Sequence, residues 1–250
     1  MVRNLKSLAI IGTSGMVGSD LLKYLKSRYK ITGIDKKNYK EYVGKKFDIV
    51  INANGNSNKV WAMENVLEDF QASTTSVYKS LFDFPCKTYV YISSADVYHD
   101  HSNKKTTSES QTVKVENLSS YGFHKYLSEC IVRNFSKQYI ILRCPMILGT
   151  KLKKGPIYDI LSNSRLFVAS GSSFQMITAA ELSKIISFLL DRNVSREVFN
   201  IGGRGKVSLK EIVKHLKTPD QHQKLEKLMI HFRDGKISKE EFLKKMRTKF

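Results

Sequence analysis

The first apolar run of the chain ends in glycines. The segment LAIIGTSGMVG, residues 8–18, reads as a buried strand passing directly into Gly12, Gly15 and Gly18, spaced G-x-x-G-x-x-G. Between a strand and a helix, such glycines permit a tight turn, close approach of backbone to a pyrophosphate, and close packing of helix on sheet. The helix that follows then offers unpaired N–H groups and the positive end of its dipole to the phosphates. Gly12, Thr13, Ser14, Gly15, Met16, Val17 and Gly18 are therefore candidate dinucleotide-binding residues. A glycine-rich turn that binds nothing is the plain alternative, so the remaining chain has to decide between the two.

YKITGID, residues 29–35, reads as a second strand ending in an acid about twenty residues beyond the glycines, where a carboxylate meets the hydroxyls of an adenosine ribose. Asp35 favours NAD, because a 2′-phosphate would face a like charge; Lys36 and Lys37 follow at once and offset part of that repulsion, which keeps NADP as the alternative. Three further apolar runs cover residues 47–54, 87–98 and 138–149, with helical patterns over 66–82 and 121–137 between them. The polar end of the third run places Asn52, Ala53 and Asn54 where parallel strands deliver binding loops. Alternating strands and helices imply an α/β fold, a Rossmann-like doubly wound parallel sheet with right-handed crossovers. A helix over 179–192 and a short strand over 198–203 complete the pattern.

The chain has 250 residues, enough for one such domain with an appendage. We expect a domain over 1–217 that includes a small substrate lobe at about 150–200, then a helical hairpin over 218–250. No run of about eighteen apolar residues is present to span a bilayer, and no secretory pattern precedes the first strand, so a cytoplasmic protein is expected. Cys86, Cys130 and Cys144 are widely spaced and read as reduced packing residues. The net charge of +19 is spread along the chain as scattered lysines, which argues against a nucleic-acid binder and for a basic surface attractive to anionic ligands.

The tail changes character after Pro219. Leu225, Leu228, Met229 and Phe232 share one helical face, and Ile237, Phe242 and Met246 share another beyond Asp234-Gly235. A calcium loop aligned on Gly235 would place Ile230 and Phe232 at ligand positions, which excludes calcium. The pattern resembles the short C-terminal helical hairpin known as SHOCT, and that resemblance implies oligomerisation or docking.

Tyr121 and Lys125 form a Y-x-x-x-K spacing that puts both side chains on one helix face. A neighbouring ammonium favours ionisation of a phenol, which is otherwise a poor base at neutral pH. Ser93 and Ser94 end the fourth strand, at the edge where open α/β sheets carry their sites. Taken together, GTSGMVG, Asp35, ISSADVY, YGFHK, the strand containing Arg143 and Pro145, and VFNIGG resemble the extended short-chain dehydrogenase/reductase family, in its NAD-dependent epimerase/dehydratase branch. The likeness covers most of residues 5–213. It implies that Tyr121 is the general acid or base, that Lys125 holds the nicotinamide ribose and lowers the tyrosine pKa, and that Ser94 orients substrate. Pro145 would shape the loop beside the nicotinamide.

Some positions depart from the family pattern. Ala95 and Asp96 stand where dehydratases carry an Asp-Glu pair, which disfavours 4,6-dehydration. His99 replaces the usual glycine, and Ser73 stands near a position where many members have a structural asparagine. His99, Asp100 and His101 lack further ligands, so no metal is expected. Asp96, His124 and Lys151 are candidate substrate contacts, His124 having a helix-surface role as its alternative. The reading that follows is an NAD-dependent epimerase or reductase acting on a nucleotide-activated sugar, and family members commonly form homodimers through the two helices read at 66–82 and 121–137. The competing reading is a non-catalytic dinucleotide-binding module that docks a partner through its basic C-terminal hairpin.

Overall fold

In the computed structural model, the described residues are 5–214, apart from 102, 163, 166, 167 and 170, together with residue 241. The hairpin expected over 225–246 lies outside them, residue 241 excepted.

Six parallel strands form the main sheet. They are β1 (Ser7–Ile11), β2 (Lys30–Ile34), β3 (Phe47–Asn52), β4 (Cys86–Ser94), β5 (Tyr139–Cys144) and, later in the chain, Glu197–Asn200. Their order is β2-β1-β3-β4-β5 with Glu197–Asn200 at the far edge. The chain thus winds outward from β1 to β2, then crosses to β3 on the other side, so the reversal point lies between β1 and β3. Ile11 pairs with Ile34 on one side and Asn52 on the other, which aligns the three strand ends that precede the binding loops.

Helices cover both faces, as the near-continuous apolar strands require. Leu8 and Ile10 face one way, with Ile49, Ile51, Val90, Ile92, Ile140 and Leu142, against Leu21 and Leu25 of α1 (Met16–Leu25). Ala9, Ile11, Val50, Tyr89, Tyr91 and Ile141 face the other way, toward Val77, Phe84 and Val132. This alternation within each strand is the period-two rule of a sheet buried on both sides.

The second face is covered by α2 (Tyr39–Tyr42), α3 (Lys59–Glu64), α4 (Val66–Phe70), α5 (Ser76–Asp83) and α6 (Ser120–Phe135). The single helix read over 66–82 is in fact two helices joined by a widened π-type turn, Gln71–Thr75. Hydroxyl side chains explain the break. Ser76 Oγ donates to the Ala72 carbonyl at 2.6 Å, and Ser73 and Thr74 turn inward, buried, to make polar contacts elsewhere.

The fifth apolar run is likewise interrupted. Pro145 has no N–H to give a ladder, and it separates β5 from β6 (Met146–Leu148). After β6 come α7 (Pro156–Leu161), β7 (Ser173–Phe174), β8 (Met176–Thr178) and α8 (Ala179–Asp191). The sheet's edge strand Glu197–Asn200 is β9, and β10 (Val207–Ser208) and α9 (Leu209–Lys214) follow. β6 pairs with β8, β7 pairs with β10, and Leu148, Ile157, Leu209 and Ile212 form a separate small core. Among the described residues no helix is long and apolar enough to cross a membrane.

Candidate active site

Parallel strands deliver their C-terminal ends to one edge, and nearly every candidate residue lies there. Gly12 follows β1 with φ +93°, and an added Cβ would sit 2.9 Å from the Ala53 carbonyl oxygen. Gly18 packs so closely on the Gly12 carbonyl that a Cβ there has no room. No side chain caps α1 at Gly15, so the first-turn N–H groups are not taken by a capping oxygen. A cradle that only glycine fits, below an uncapped helix start, suits the pyrophosphate of a dinucleotide.

Asp35 follows directly on β2 and is half-buried. Its N–H donates to Asn38 Oδ1 at 2.8 Å, and its Oδ1 accepts the Lys37 N–H at 2.8 Å, which holds the carboxylate at the strand edge. Lys36 and Lys37 are exposed beside it. Ala53 continues the β1–β3 ladder by donating to the Ile11 carbonyl at 3.0 Å. Asn52 plays a different part from the one its position suggested. Its side chain is fully buried, donating to Ser80 Oγ at 3.1 Å and Tyr89 Oη at 2.8 Å and accepting from the Asn54 N–H at 2.9 Å. It supports the loop from below.

Ser119 caps α6 by accepting the Gly122 N–H at 3.2 Å, which places Tyr121 in the first turn and Lys125 one turn later. Strand alternation separates the two serines of β4. Ser93 donates to Glu129 Oε1 at 2.6 Å in the interior, whereas Ser94 faces the site and donates to Asp96 Oδ2 at 2.8 Å. Tyr121 is 7% exposed, and Ser94 is close enough to hydrogen-bond its phenol. Burial pushes that phenol above its ordinary pKa of 10.0; the Lys125 ammonium and the Ser94 hydrogen bond pull it down, and the Asp96 carboxylate pushes it up. The lowering expected from Lys125 is therefore present but outweighed by burial.

Lys125 is buried as well. Its Nζ donates to the Ile92 carbonyl at 3.3 Å and lies 3.6 Å from where a Cβ on Gly55 would stand. The ammonium thus sits between the end of β4 and the loop after β3. Asp96 is ion-paired with Lys59 Nζ at 2.7 Å, so a cation overlooked in the sequence stands at the rim. Asp96 lies in the ISSADVY segment, but Lys59 belongs to no motif, and only the fold makes the two neighbours.

His124 is the principal correction. It is neither on the helix surface nor facing substrate: the imidazole is 3% exposed, and its Nδ1 donates to Asp69 Oδ2 at 2.6 Å. One residue before Lys125, it points to a different side of α6, against Phe70 of α4 with ring centroids 5.4 Å apart. Ser73, near the expected structural asparagine, is buried and donates to Asp69 Oδ1 at 3.3 Å. Lys151 is exposed on the loop after β6, apart from Ser94 and Tyr121 in the chain's folded order. That loop is tied to α1 by buried Asp20, which accepts from the Thr150 N–H at 2.7 Å and from the Thr150 hydroxyl. His99 and His101 are each engaged by a backbone carbonyl, of Asn117 at 2.9 Å and Ala95 at 3.0 Å.

The profile of the NAD dependent epimerase/dehydratase family matches residues 8–202. The chain belongs to this family. Solved structures of similar fold include a UDP-galactose 4-epimerase, 18% identical with a TM-score of 0.70, the match covering 84% of this chain and 82% of that one. Another is a dTDP-4-dehydrorhamnose reductase from Clostridium acetobutylicum, 17% identical, TM-score 0.69, covering 88% and 80% of the two chains. A third is MoeE5 in complex with UDP-glucuronic acid and NAD, 15% identical, TM-score 0.71, covering 84% and 80%. At such identities the likeness establishes the fold. No curated protein matches the sequence.

Proposed function

We propose that this family member is an NAD-dependent epimerase or reductase of a nucleotide-activated sugar, with NADP as the alternative cofactor and Tyr121 as general acid/base. The observation that carries the reading is the convergence of Ser94, Tyr121 and Lys125 at the strand edge that also holds the glycine cradle. Residues 12–18, Asp35 and Ala53–Asn54 would hold the dinucleotide, with Pro145 shaping the nicotinamide side. When bound, the nicotinamide supplies the hydride-accepting or hydride-donating carbon.

The side chains divide the rest of the work. Ser94 holds the reacting sugar oxygen beside the phenol, and Tyr121 Oη takes or returns that oxygen's proton. Lys125 stabilises the ionised phenol through space and reaches the ribose side at Gly55. Asp96 and Lys59 at the rim and Lys151 on the lobe contact the substrate. The solved relatives named for UDP- and dTDP-linked sugars, one of them holding NAD, support a nucleotide-sugar substrate for this chain.

Calorimetric titration with NAD and NADP, followed by a thermal-shift screen of UDP-, GDP- and dTDP-sugars, tests the reading. NAD binding with a further shift by one nucleotide-sugar is expected. Cofactor binding with no response to any sugar contradicts the enzymatic reading and leaves a dinucleotide-binding module.

A further inference from the structure

The buried Asp69 carboxylate has no place in the proposed chemistry, yet it is the meeting point of three elements. It is 0% exposed at the end of α4. From α6 it receives the His124 Nδ1–H, and from the π-type turn the Ser73 hydroxyl. From the loop after β3 it receives Asn56 Nδ2–H at 2.9 Å. A buried carboxylate is costly unless donors surround it, so each of the three is held to its place by the charge they share.

Asn56 is fastened twice, since its own N–H also donates to Ser73 Oγ at 3.3 Å. Its neighbour Gly55 is where Lys125 Nζ approaches. Asn56 also organises the chain beyond it: Nδ2 donates to the Asn58 carbonyl at 2.8 Å, and Oδ1 accepts the Asn58 N–H at 2.8 Å. Lys59 follows immediately and reaches Asp96. On the helix side, the His124 carbonyl accepts from Thr74 Oγ1 at 3.2 Å and Ser128 Oγ at 2.7 Å, which fixes the backbone next to Lys125.

We infer that Asp69 and His124 form a positioning pair that registers the 55–58 loop against Lys125 and so sets affinity for the nicotinamide half of the dinucleotide. The inference rests on the proposed cofactor reading. The pair touches no reacting atom and acts through Asn56, Gly55 and Lys125. The adenine half is held elsewhere, by the β1 glycine turn and Asp35, and is outside its reach.

The test is calorimetric titration of NAD and of ADP, the latter probing the adenine half alone, against wild type, His124→Leu, His124→Gln and Asn56→Ala. His124→Leu is expected to weaken NAD by about tenfold, the equivalent of one hydrogen bond to a charged group, while ADP affinity holds. His124→Gln keeps an N–H donor and is expected to bind NAD close to wild type. Asn56→Ala removes the loop's tether without disturbing α6, and it carries the test if His124→Leu fails to fold: selective loss of NAD supports the pair. Unchanged NAD affinity in Asn56→Ala, or equal weakening of NAD and ADP, overturns it. A wild type that binds neither ligand defeats the cofactor reading itself, a result distinct from either.

Discussion

Tyr121 is a phenol under opposing influences, and each has a residue behind it. Burial and the Asp96 carboxylate raise its pKa, whereas Lys125 and Ser94 lower it. The ionised base is consequently scarce at neutral pH, and the rate of sugar oxidation is expected to climb as pH rises toward the phenol's titration. Lys125→Met removes a stabilising positive charge and should move that profile to higher pH. Asp96→Asn removes a repelling negative charge and should move it lower. Measured pH–rate profiles that shift in the opposite directions contradict this placement. Much at this scale was legible, because Y-x-x-x-K and the strand-end serines are local spacings that a helix and a strand turn into shared faces. Lys59 and Asp69 were not, since nothing local links Asp69 to a histidine 55 positions away. The Asp69–His124 pair exists only once α4 lies on α6.

At the scale of elements, α6 is fixed to the sheet by charge as well as by packing. Glu129, 0% exposed, receives Arg143 Nη2 at 2.7 Å and Nε at 3.1 Å from β5, along with the Ser93 hydroxyl from β4. Arg143 Nη1 also donates to Tyr98 Oη at 2.7 Å, which donates in turn to Asn200 Oδ1 of β9 at 2.9 Å. Burial works against the guanidinium charge, but the Glu129 carboxylate more than restores it. Glu129→Gln leaves a buried cation without its counterion and should cost about 3–5 kcal/mol in urea unfolding. Glu129→Gln combined with Arg143→Met should recover part of that loss; a double variant less stable than either single one contradicts the account. Element boundaries were readable wherever apolar period and breaker residues coincide, as at Gly12 and at Ser94. The split of residues 66–82 was missed because its cause, inward-turned hydroxyls, breaks no hydrophobic pattern.

At the scale of the whole molecule, the surface of α4, α5 and α6 is unusually apolar for a basic protein. Leu67 is 75% exposed and Phe82 56%, and Phe82, Tyr78 and Phe135 form a ring cluster with centroids 5.1 to 5.7 Å apart. This is the face expected from the sequence to join two copies of the chain. Sedimentation should find a dimer, and Phe82→Glu should yield a folded monomer; a monomeric wild type contradicts the assignment. The overall architecture was legible because six apolar runs alternate with helices. The small core of Leu148, Ile157, Leu209 and Ile212 was less so, since short elements before 150 and after 200 supply part of it rather than long periodic runs. The proposed chemistry depends on proton transfer through Tyr121 at this edge of the sheet. Turnover of the sugar found by the thermal-shift screen, measured for wild type and Tyr121→Phe alongside NAD affinity, tests it most directly. Loss of turnover by about a hundredfold or more with NAD binding unchanged is the expected result; equal turnover in the two proteins would contradict it.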